Sequence, residues 1–524
     1  MDFHQVKRLY HTLKHLKFTQ VYHQIKYRLV KPKRVVTPWD GAFAQIDLAD
    51  FPKRQKSLSI SEGVWSFSFL NLEQSFSQDS MDWSFHDFGL LWTYNLNYFD
   101  WLHQTGGMSK EHGLETLSQF YSNTAEKNPI ILHPYPTSLR IINVAKFIAK
   151  WDIKEGWLYY ELVSDLKFLC SRLEYHLLAN HLLENAFALY IGGLITNQGE
   201  FIQKGKKLLF RELKEQVLSD GMHYERSPMY HLIILERLLD ALNFAKATSE
   251  DLEVMLVSYV VRMTGLTMNW EDLDRIPMMQ DSAYDVALTV PKILKYSKTL
   301  LGDDYPSKSN DLKDSGYRNM NSGSLRVFAN VGSIGPVYQP AHAHSDELSF
   351  ELFYSGTPII VDTGISTYEK NDARFKERSS ISHNCISINC QNLSDVWAGF
   401  RVGKRAIVES QSSSDFIQAT CKANRVLISR NFEAVSDGLL IEDKIERKEG
   451  LPAQGCLHLH PDVDFEKLGS HIFKVSELII SISTDLNDVW IEDYAYCKGY
   501  NNRVLSKKLV YSLKNHAKVE FRKA

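Results

Sequence analysis

Cysteine is scarce and scattered. The six cysteines (Cys170, Cys385, Cys390, Cys421, Cys456 and Cys497) form no CxxC pair, which excludes a thiolate metal site and a disulfide framework. No apolar run approaches the roughly 18–20 residues that a membrane span needs. The first residues, MDFHQVKRLYHTLKHLKF, carry charge where a secretory leader has its apolar core, so a cytoplasmic chain is expected. Charge of one sign is also missing: a formal net charge of −3 over 524 residues provides no global field for a nucleic-acid partner. The helical blocks described below are not similar to one another, which argues against a solenoid.

The length is more than one core can organise. Three regions are expected: a basic helix and lead-in over 1–89, a helical domain over 90–305 and a strand-rich domain over 306–524. Residues 1–35 interleave Lys7, Arg8, Lys14, Lys17, Lys26, Arg28, Lys31, Lys33 and Arg34 with Leu, Tyr, Phe and Val. This is the pattern of a basic amphipathic helix that can lie on an anionic membrane surface, or be the solvated face of a docked helix. Residues 36–88 contain strand-like pieces around Gly63–Leu70 and Trp83–Phe88. From Leu90 to about Leu300, apolar residues recur at three- and four-residue spacing in blocks such as LRIINVAKFIAKW, WLYYELVSDLKFLCSRLEYHLL and YHLIILERLLDALNFA. Their short connections predict antiparallel helical hairpins, as in an α/α toroid. Beyond the polar stretch Gly302–Asn321, runs such as SLRVFAN, RVLISRNFEAV and SELIISIST predict an antiparallel β-sandwich.

Chemistry concentrates in residues 341–405. If HAHSD is a strand, His342, His344 and Asp346 share a face. Two imidazoles and a carboxylate from different strand-like runs, among His342, His344, His383, Asp346 and Asp362, can converge on a divalent metal, with Zn2+ the default, while no organic cofactor is indicated. The alternative is a set of hydrogen-bonded histidines in the sandwich core. The helical half adds further candidates. In NHLLEN, His181 and Glu184 lie three apart on one helix face and are expected to meet, next to Asn180. DGMHYERSPMYH supplies Tyr224, Glu225, Tyr230 and His231. HPYPTSLR supplies His133, Tyr135 and Arg140, and LLWTYNLNYF supplies Trp92, Tyr94 and Asn95. The 10 Trp and 25 Tyr suit stacking on sugar rings as well as core packing.

Together, NHLLENAFALYIGG, DGMHYERSPMYHLIILERLLD, HAHSDELSFELFYSGTPIIVDTG and RSSISHNCISINCQNLSDVWAGFRVGKRA resemble the heparinase II/III family of polysaccharide lyases, in that family's order, over roughly residues 90–460. The resemblance implies an incomplete N-terminal α/α toroid followed by an antiparallel β-sandwich, with the active site between them. It places the uronate-neutralising position on Asn180 or His181, beside Glu184. The catalytic Tyr falls on Tyr230, with Tyr224 as the second candidate, and the catalytic His on His342. The metal ligands fall on His344, Asp362 and His383. Gln280-Asp281-Ser282 stands where the family's pattern has Asn-Asp-Ser.

The implied reaction is β-elimination at a uronic acid in an acidic polysaccharide. Removing the C5 proton builds charge on the carboxylate, so positioned donors there are the main requirement; Asn180, a protonated His181 and Arg140 are the candidates. His342 is expected as base and Tyr230 as acid for one C5 epimer, with Tyr230 in both roles for the other. A tyrosine base needs a cationic neighbour, His181 or His231. Two other readings stand beside the lyase: a uronate C5-epimerase, which reprotonates the carbanion, and a non-catalytic glycan-binding protein. A role in exopolysaccharide or capsule production fits the expected location.

Overall fold

Two short helices open the chain, α1 (Phe3–Leu13) and α2 (Phe18–Leu29), in a computed structural model that describes residues 3–31, 33–36, 41–123, 130–309, 312–436, 438–447 and 452–524. The expected single basic helix is therefore two helices, separated at residues 14–17. The lead-in is ordered as a three-stranded sheet of β1 (Leu58–Ser61), β2 (Val64–Phe69) and β3 (Leu72–Ser77). Trp83–Phe88 is not a strand. Trp83 instead packs edge-on against Trp65 and Phe67 (ring centroids 6.3 and 6.1 Å), and its carbonyl accepts from Asn97 Nδ2 (2.9 Å).

The helical half comprises α3 (Leu90–Tyr98), α4 (Lys110–Asn123), α5 (Pro134–Trp151), α6 (Gly156–Ser171), α7 (Ala179–Ile195), α8 (Gly199–Gln216), α9 (Pro228–Ala247), α10 (Glu253–Thr267) and α11 (Val290–Leu301). Their ends follow the local chemistry. Pro134 and Pro228 occupy first-turn positions where no backbone N–H is needed. Ser227 caps α9 by accepting from Tyr230 N (3.2 Å). The second helical block ends earlier than its apolar pattern predicts, because α6 stops at Ser171 and residues 172–178 turn the chain. α7 is the central helix: every residue in it is buried except His181.

The second half is antiparallel throughout. Its elements are β4 (Tyr317–Ser322), β5 (Leu325–Asn330), β6 (Phe350–Tyr354), β7 (Thr357–Ile360), α12 (Asp372–Glu377), β8 (Ile386–Ile388), β9 (Val396–Trp397), β10 (Arg401–Val402), β11 (Ile407–Ser412), β12 (Phe416–Ala423), β13 (Val426–Val435), β14 (Gly438–Glu446), β15 (Ala453–His458), β16 (Phe465–Lys467), β17 (Ile472–Val475), β18 (Leu478–Thr484), β19 (Asp488–Gly499), β20 (Asn502–Leu513) and β21 (His516–Lys523). Eight strands form one sheet in the order β11-β12-β13-β14-β21-β18-β17-β16. Two four-stranded sheets, β4-β5-β6-β7 and β19-β20-β15-β8, complete the layers. Alternate residues of facing strands, including Phe350, Phe432, Ile441, Phe473, Leu509 and Phe521, meet in one dry core.

HAHSD is not a strand either. Residues 341–349 run as turns into β6, because their polar groups bond to a loop of the helical half instead of to a ladder. Asp281 N donates to His342 O (3.2 Å), and His344 N donates to Gln280 Oε1 (2.7 Å). Gln280 Nε2 in turn donates to both Asp346 oxygens (2.9 and 2.7 Å). The segment between α10 and α11 is thereby fastened to the segment preceding β6.

Candidate functional site

His342 stands at this junction. Its ring stacks on Tyr230, with centroids 4.0 Å apart and planes at 30°. Its Nδ1 lies 2.8 Å from Asp281 Oδ2, and its Nε2 lies 3.6 Å from Glu225 Oε2. With Asp281 accepting from Nδ1–H, the tautomer leaves the Nε2 lone pair free, as a general base requires. Tyr230 is carried on the first turn of α9. The Ser227 hydroxyl that caps this helix donates to Asp281 O (2.8 Å), so one side chain sets both the helix start and the loop that orients His342.

Asp281 is the hub. It is fully buried and takes both terminal nitrogens of Arg374, with Nη2 at 2.7 Å, together with His342 Nδ1 and His344 Nε2 (2.8 Å each). Burial alone would raise the Asp281 carboxyl, but Arg374 and the two imidazoles outweigh it and hold it well below the usual carboxylate range. Arg374, on α12, is fixed by Gly399 O (3.1 Å) and lies under the Tyr368 and Phe400 rings, 5.0 Å from each. Tyr368 OH meets Tyr230 OH at 3.2 Å. Burial pushes the Tyr230 phenol well above its ordinary value, with the Tyr368 bond opposing. That suits a proton donor and disfavours a phenolate base.

Asn180 lies in the first turn of α7, just after Leu178 and Ala179, which both have left-handed φ, 63° and 54°. Its Nδ2 donates to both Glu225 oxygens (3.0 and 2.8 Å), and Glu225 Oε1 also takes Asn180 N (3.0 Å). His181 has a different partner. Its Nδ1 lies 3.1 Å from Glu174 Oε1, and its ring packs against Tyr135 (4.6 Å). Burial opposes a charge there, but Glu174 prevails and raises the imidazole above its ordinary value. Tyr135 continues to Tyr98 (6.0 Å) and Tyr98 to Tyr94 (6.3 Å), and Tyr94 OH bonds His133 Nδ1 (2.6 Å). A line of aromatic and imidazole rings thus leads away from Asn180.

Several expected residues lie elsewhere. His181 and Glu184 do not meet: His181 takes Glu174, while Glu184 is fully buried 3.7 Å from Arg237, with neither oxygen hydrogen-bonded. Arg140 is fully buried and committed to Asp165 (3.2 Å), Ile131 O (3.3 Å) and Thr137 (3.3 Å), so it offers no cation to a substrate. His231 is a core residue between Thr267 (2.9 Å) and Trp270 (5.5 Å). Burial and the neighbouring His223 lower it to about 3, so it cannot be the cation beside Tyr230. Trp92 is fully buried with Nε1 on Leu72 O (3.1 Å), and Asn95 Nδ2 bonds Leu91 O within its own helix (2.8 Å). Tyr224 OH pairs with Tyr338 OH (2.9 Å) away from the Tyr230–His342 stack.

His344, Asp362 and His383 are all buried. Asp362 Oδ2 accepts from His383 Nδ1 (2.7 Å) and Oδ1 from Gly364 N (3.0 Å), and the two imidazole rings lie 5.2 Å apart. Among the described residues, no three His, Cys, Asp or Glu side chains are arranged to hold a metal ion. Two buried nitrogens nonetheless have no hydrogen-bond partner, His344 Nδ1 and His383 Nε2.

Asp281, Arg374 and Tyr368 were not among the residues expected at the site. Asp281 was visible only as part of the QDS triplet. Arg374 sits in NDARFKER, which reads as a solvated surface helix.

A helical half thus packs onto an antiparallel sandwich, with a Tyr–His stack at their junction. The profile described as "Heparinase II/III N-terminus" matches residues 137–305, and that described as "Heparinase II/III-like, C-terminal" matches 304–522; the chain belongs to the heparinase II/III family. It is 26% identical over 217 residues to a heparin-sulfate lyase of Pedobacter heparinus, covering 36% of this chain and 32% of that one. A heparin-sulfate lyase of Bacteroides thetaiotaomicron is 26% identical over 261 residues, covering 41% and 37%. The matched stretch thus spans about a third of the length of these curated relatives. The solved structure of heparinase III has the same fold, with a TM-score of 0.67 at 13% identity over 96% of this chain and 89% of that one.

Proposed function

We propose that this chain is a polysaccharide lyase that cleaves a uronic-acid-containing glycan by β-elimination, with exopolysaccharide or capsule production as its setting. The observation that carries the reading is the Tyr230–His342 stack, 4.0 Å between centroids, with His342 Nδ1 tied to Asp281. His342 Nε2 takes the C5 proton. Tyr230, kept protonated by burial, delivers its hydroxyl proton to the departing O4. The carbanion's charge spreads onto the uronate carboxylate. Asn180 Nδ2, now shared between the two Glu225 oxygens, and the His181 imidazolium supply donors there. The rings of Tyr94, Tyr98, Tyr135 and His133 provide faces for neighbouring sugars. The names of the curated relatives place sulfated uronate polymers on the panel to be tested.

The test is ultraviolet absorbance of the unsaturated uronate product while the protein is incubated with a panel of uronate polymers. Tyr230→Phe and His342→Ala are each expected to lower the rate about a hundredfold to ten-thousandfold. No product on any polymer, with solvent deuterium appearing at C5, would replace the lyase by an epimerase. Neither signal would leave a binding protein.

A structural zinc ion belongs to the proposed reading on the strength of the two partnerless nitrogens, His344 Nδ1 and His383 Nε2. Bound there with Asp362 nearby, it would brace the 341–349 turn without touching the reacting atoms. Elemental analysis should find zinc, and chelation should lower the unfolding temperature by several degrees. A metal-free protein with an unchanged melting curve would remove zinc from the scheme.

A further inference from the structure

Eleven of the twenty-four large hydrophobic side chains exposed among the described residues lie before residue 37. Eight of these eleven sit on α1 and α2, and both helices dock with the polar side inward. On α2, buried Gln20 donates from Nε2 to Leu177 O (3.5 Å), Tyr27 OH bonds Leu173 O (2.5 Å) and His23 packs on Tyr175 (4.7 Å). By helical periodicity the opposite side carries Phe18, Tyr22, Ile25 and Leu29; Phe18 and Leu29 are 83% and 79% exposed. On α1, Arg8 grips Asp395 through Nε and Nη2 (2.9 and 2.8 Å), and Thr12 Oγ1 donates to Val402 O (3.2 Å). Val6 and Tyr10 point away from that contact. Leu13, Val21 and Ile25 border a groove facing Tyr338 and Val402, so the outermost apolar set is Val6, Tyr10, Phe18, Tyr22 and Leu29. A helix serving only its own fold turns this side inward.

The charges on this segment have one sign. Residues 3–36 contain no Asp or Glu. Arg8, Lys17 and Arg34 are paired with Asp395, Glu215 and the Asp165–Glu161 pair. Lys7, Lys14, Lys26, Arg28, Lys31 and Lys33 form no ion pair among the described residues, and Lys26 and Arg28 flank the apolar stripe of α2.

We propose that the α1–α2 segment docks this protein on an anionic bilayer surface. Phe18, Tyr22 and Leu29 enter the headgroup–acyl boundary, and the flanking lysines and Arg28 reach lipid phosphates. A second copy meeting the same face would bring six unpaired cations against six more. A nucleic acid would use the cations and leave the apolar stripe wet. Because α1 holds the sheet half at Asp395 and α2 rests on the helical half at Leu173 and Leu177, docking fixes the orientation of both halves to the membrane. The proposal stands on α1 and α2 alone and does not depend on the lyase reading.

The full-length protein is sedimented with vesicles of phosphatidylcholine alone and of phosphatidylcholine mixed with phosphatidylglycerol. Binding is expected only on the mixed vesicles and weakens as salt is added. The double substitution Phe18→Ser with Leu29→Ser should lower the partition about tenfold or more, given the apolar area removed. It should leave the unfolding midpoint unchanged, since both side chains are exposed. Absence of binding to the mixed vesicles, or equal binding by the double variant, would overturn the proposal. So would a concentration-dependent dimer in vesicle-free solution that the same substitutions abolish, because α1 and α2 would then form a protein interface.

Discussion

Asp281 and Glu184 are both fully buried carboxyl groups, one at the junction of the two halves and one inside the helical half, and their surroundings give them opposite charge states. Asp281 has a dedicated guanidinium, Arg374, and two imidazole N–H donors, so each of its oxygens is occupied. Glu184 has no hydrogen bond. Its nearest cation, Arg237 at 3.7 Å, is also drawn to Asp240 (3.0 Å), Glu236 (3.6 Å) and Asp100 (3.9 Å). Burial pushes Glu184 up to about 8; Arg237 opposes the rise, and Glu236, Asp240 and Asp100 add to it. A buried carboxylate can orient a catalytic imidazole only where cations and donors keep it ionised. Where acids outnumber cations, one of them carries a proton and becomes part of the packing.

Asp281→Asn is expected to have the largest effect. It leaves Arg374 buried beside a neutral amide and offers an N–H to His342 Nδ1, which favours the wrong tautomer. Steady-state kinetics should show a loss of about a thousandfold or more, and denaturant unfolding a loss of about 3–5 kcal/mol. A variant with near-native activity and stability would mean that His342 is oriented by its stacking on Tyr230 alone.

Glu184→Gln should have a smaller effect, visible through its pH dependence. The folded protein keeps the Glu184 proton up to about 8, and the unfolded chain only up to the ordinary value of 4.5. Unfolding therefore releases a proton between those limits, and the native protein loses stability as pH rises through that window. Glutamine has no proton to release. The variant should gain about 1–3 kcal/mol on the native protein between pH 5 and pH 8. Parallel stability curves for the two proteins across that range would show that Glu184 is ionised in the fold after all.

The two carboxyls also show which features were legible. Helical blocks such as YHLIILERLLDALNFA and strands such as RVLISRNFEAV follow from apolar period, and the structure forms α9 and β13 there. The four motifs that point to the family carry Asn180, Tyr230 and His342 to one place. The three-residue spacing of His181 and Glu184 put them on one side of α7, yet spacing does not say which partner wins. Glu174, seven residues before His181, and Arg237, on another helix, out-competed the local pair. Arg140 looked available in sequence and is consumed by Asp165 on the next helix. HAHSD satisfies the strand condition in its alternation of side chains and not in its backbone, whose hydrogen bonds run to Gln280 and Asp281.

The chain by itself determined where helix gives way to strand, how the connecting turns are capped and which reactive side chains are present, because those properties depend on neighbours within a few residues. Tertiary structure alone decided that Asp281 stays charged, that Glu184 holds a proton, that Arg374 lies inside the molecule and that α1 and α2 face outward with their apolar side. Each of these depends on burial and on partners far away in the chain. The energy of a charge, or of an apolar surface, is fixed by what surrounds it in space.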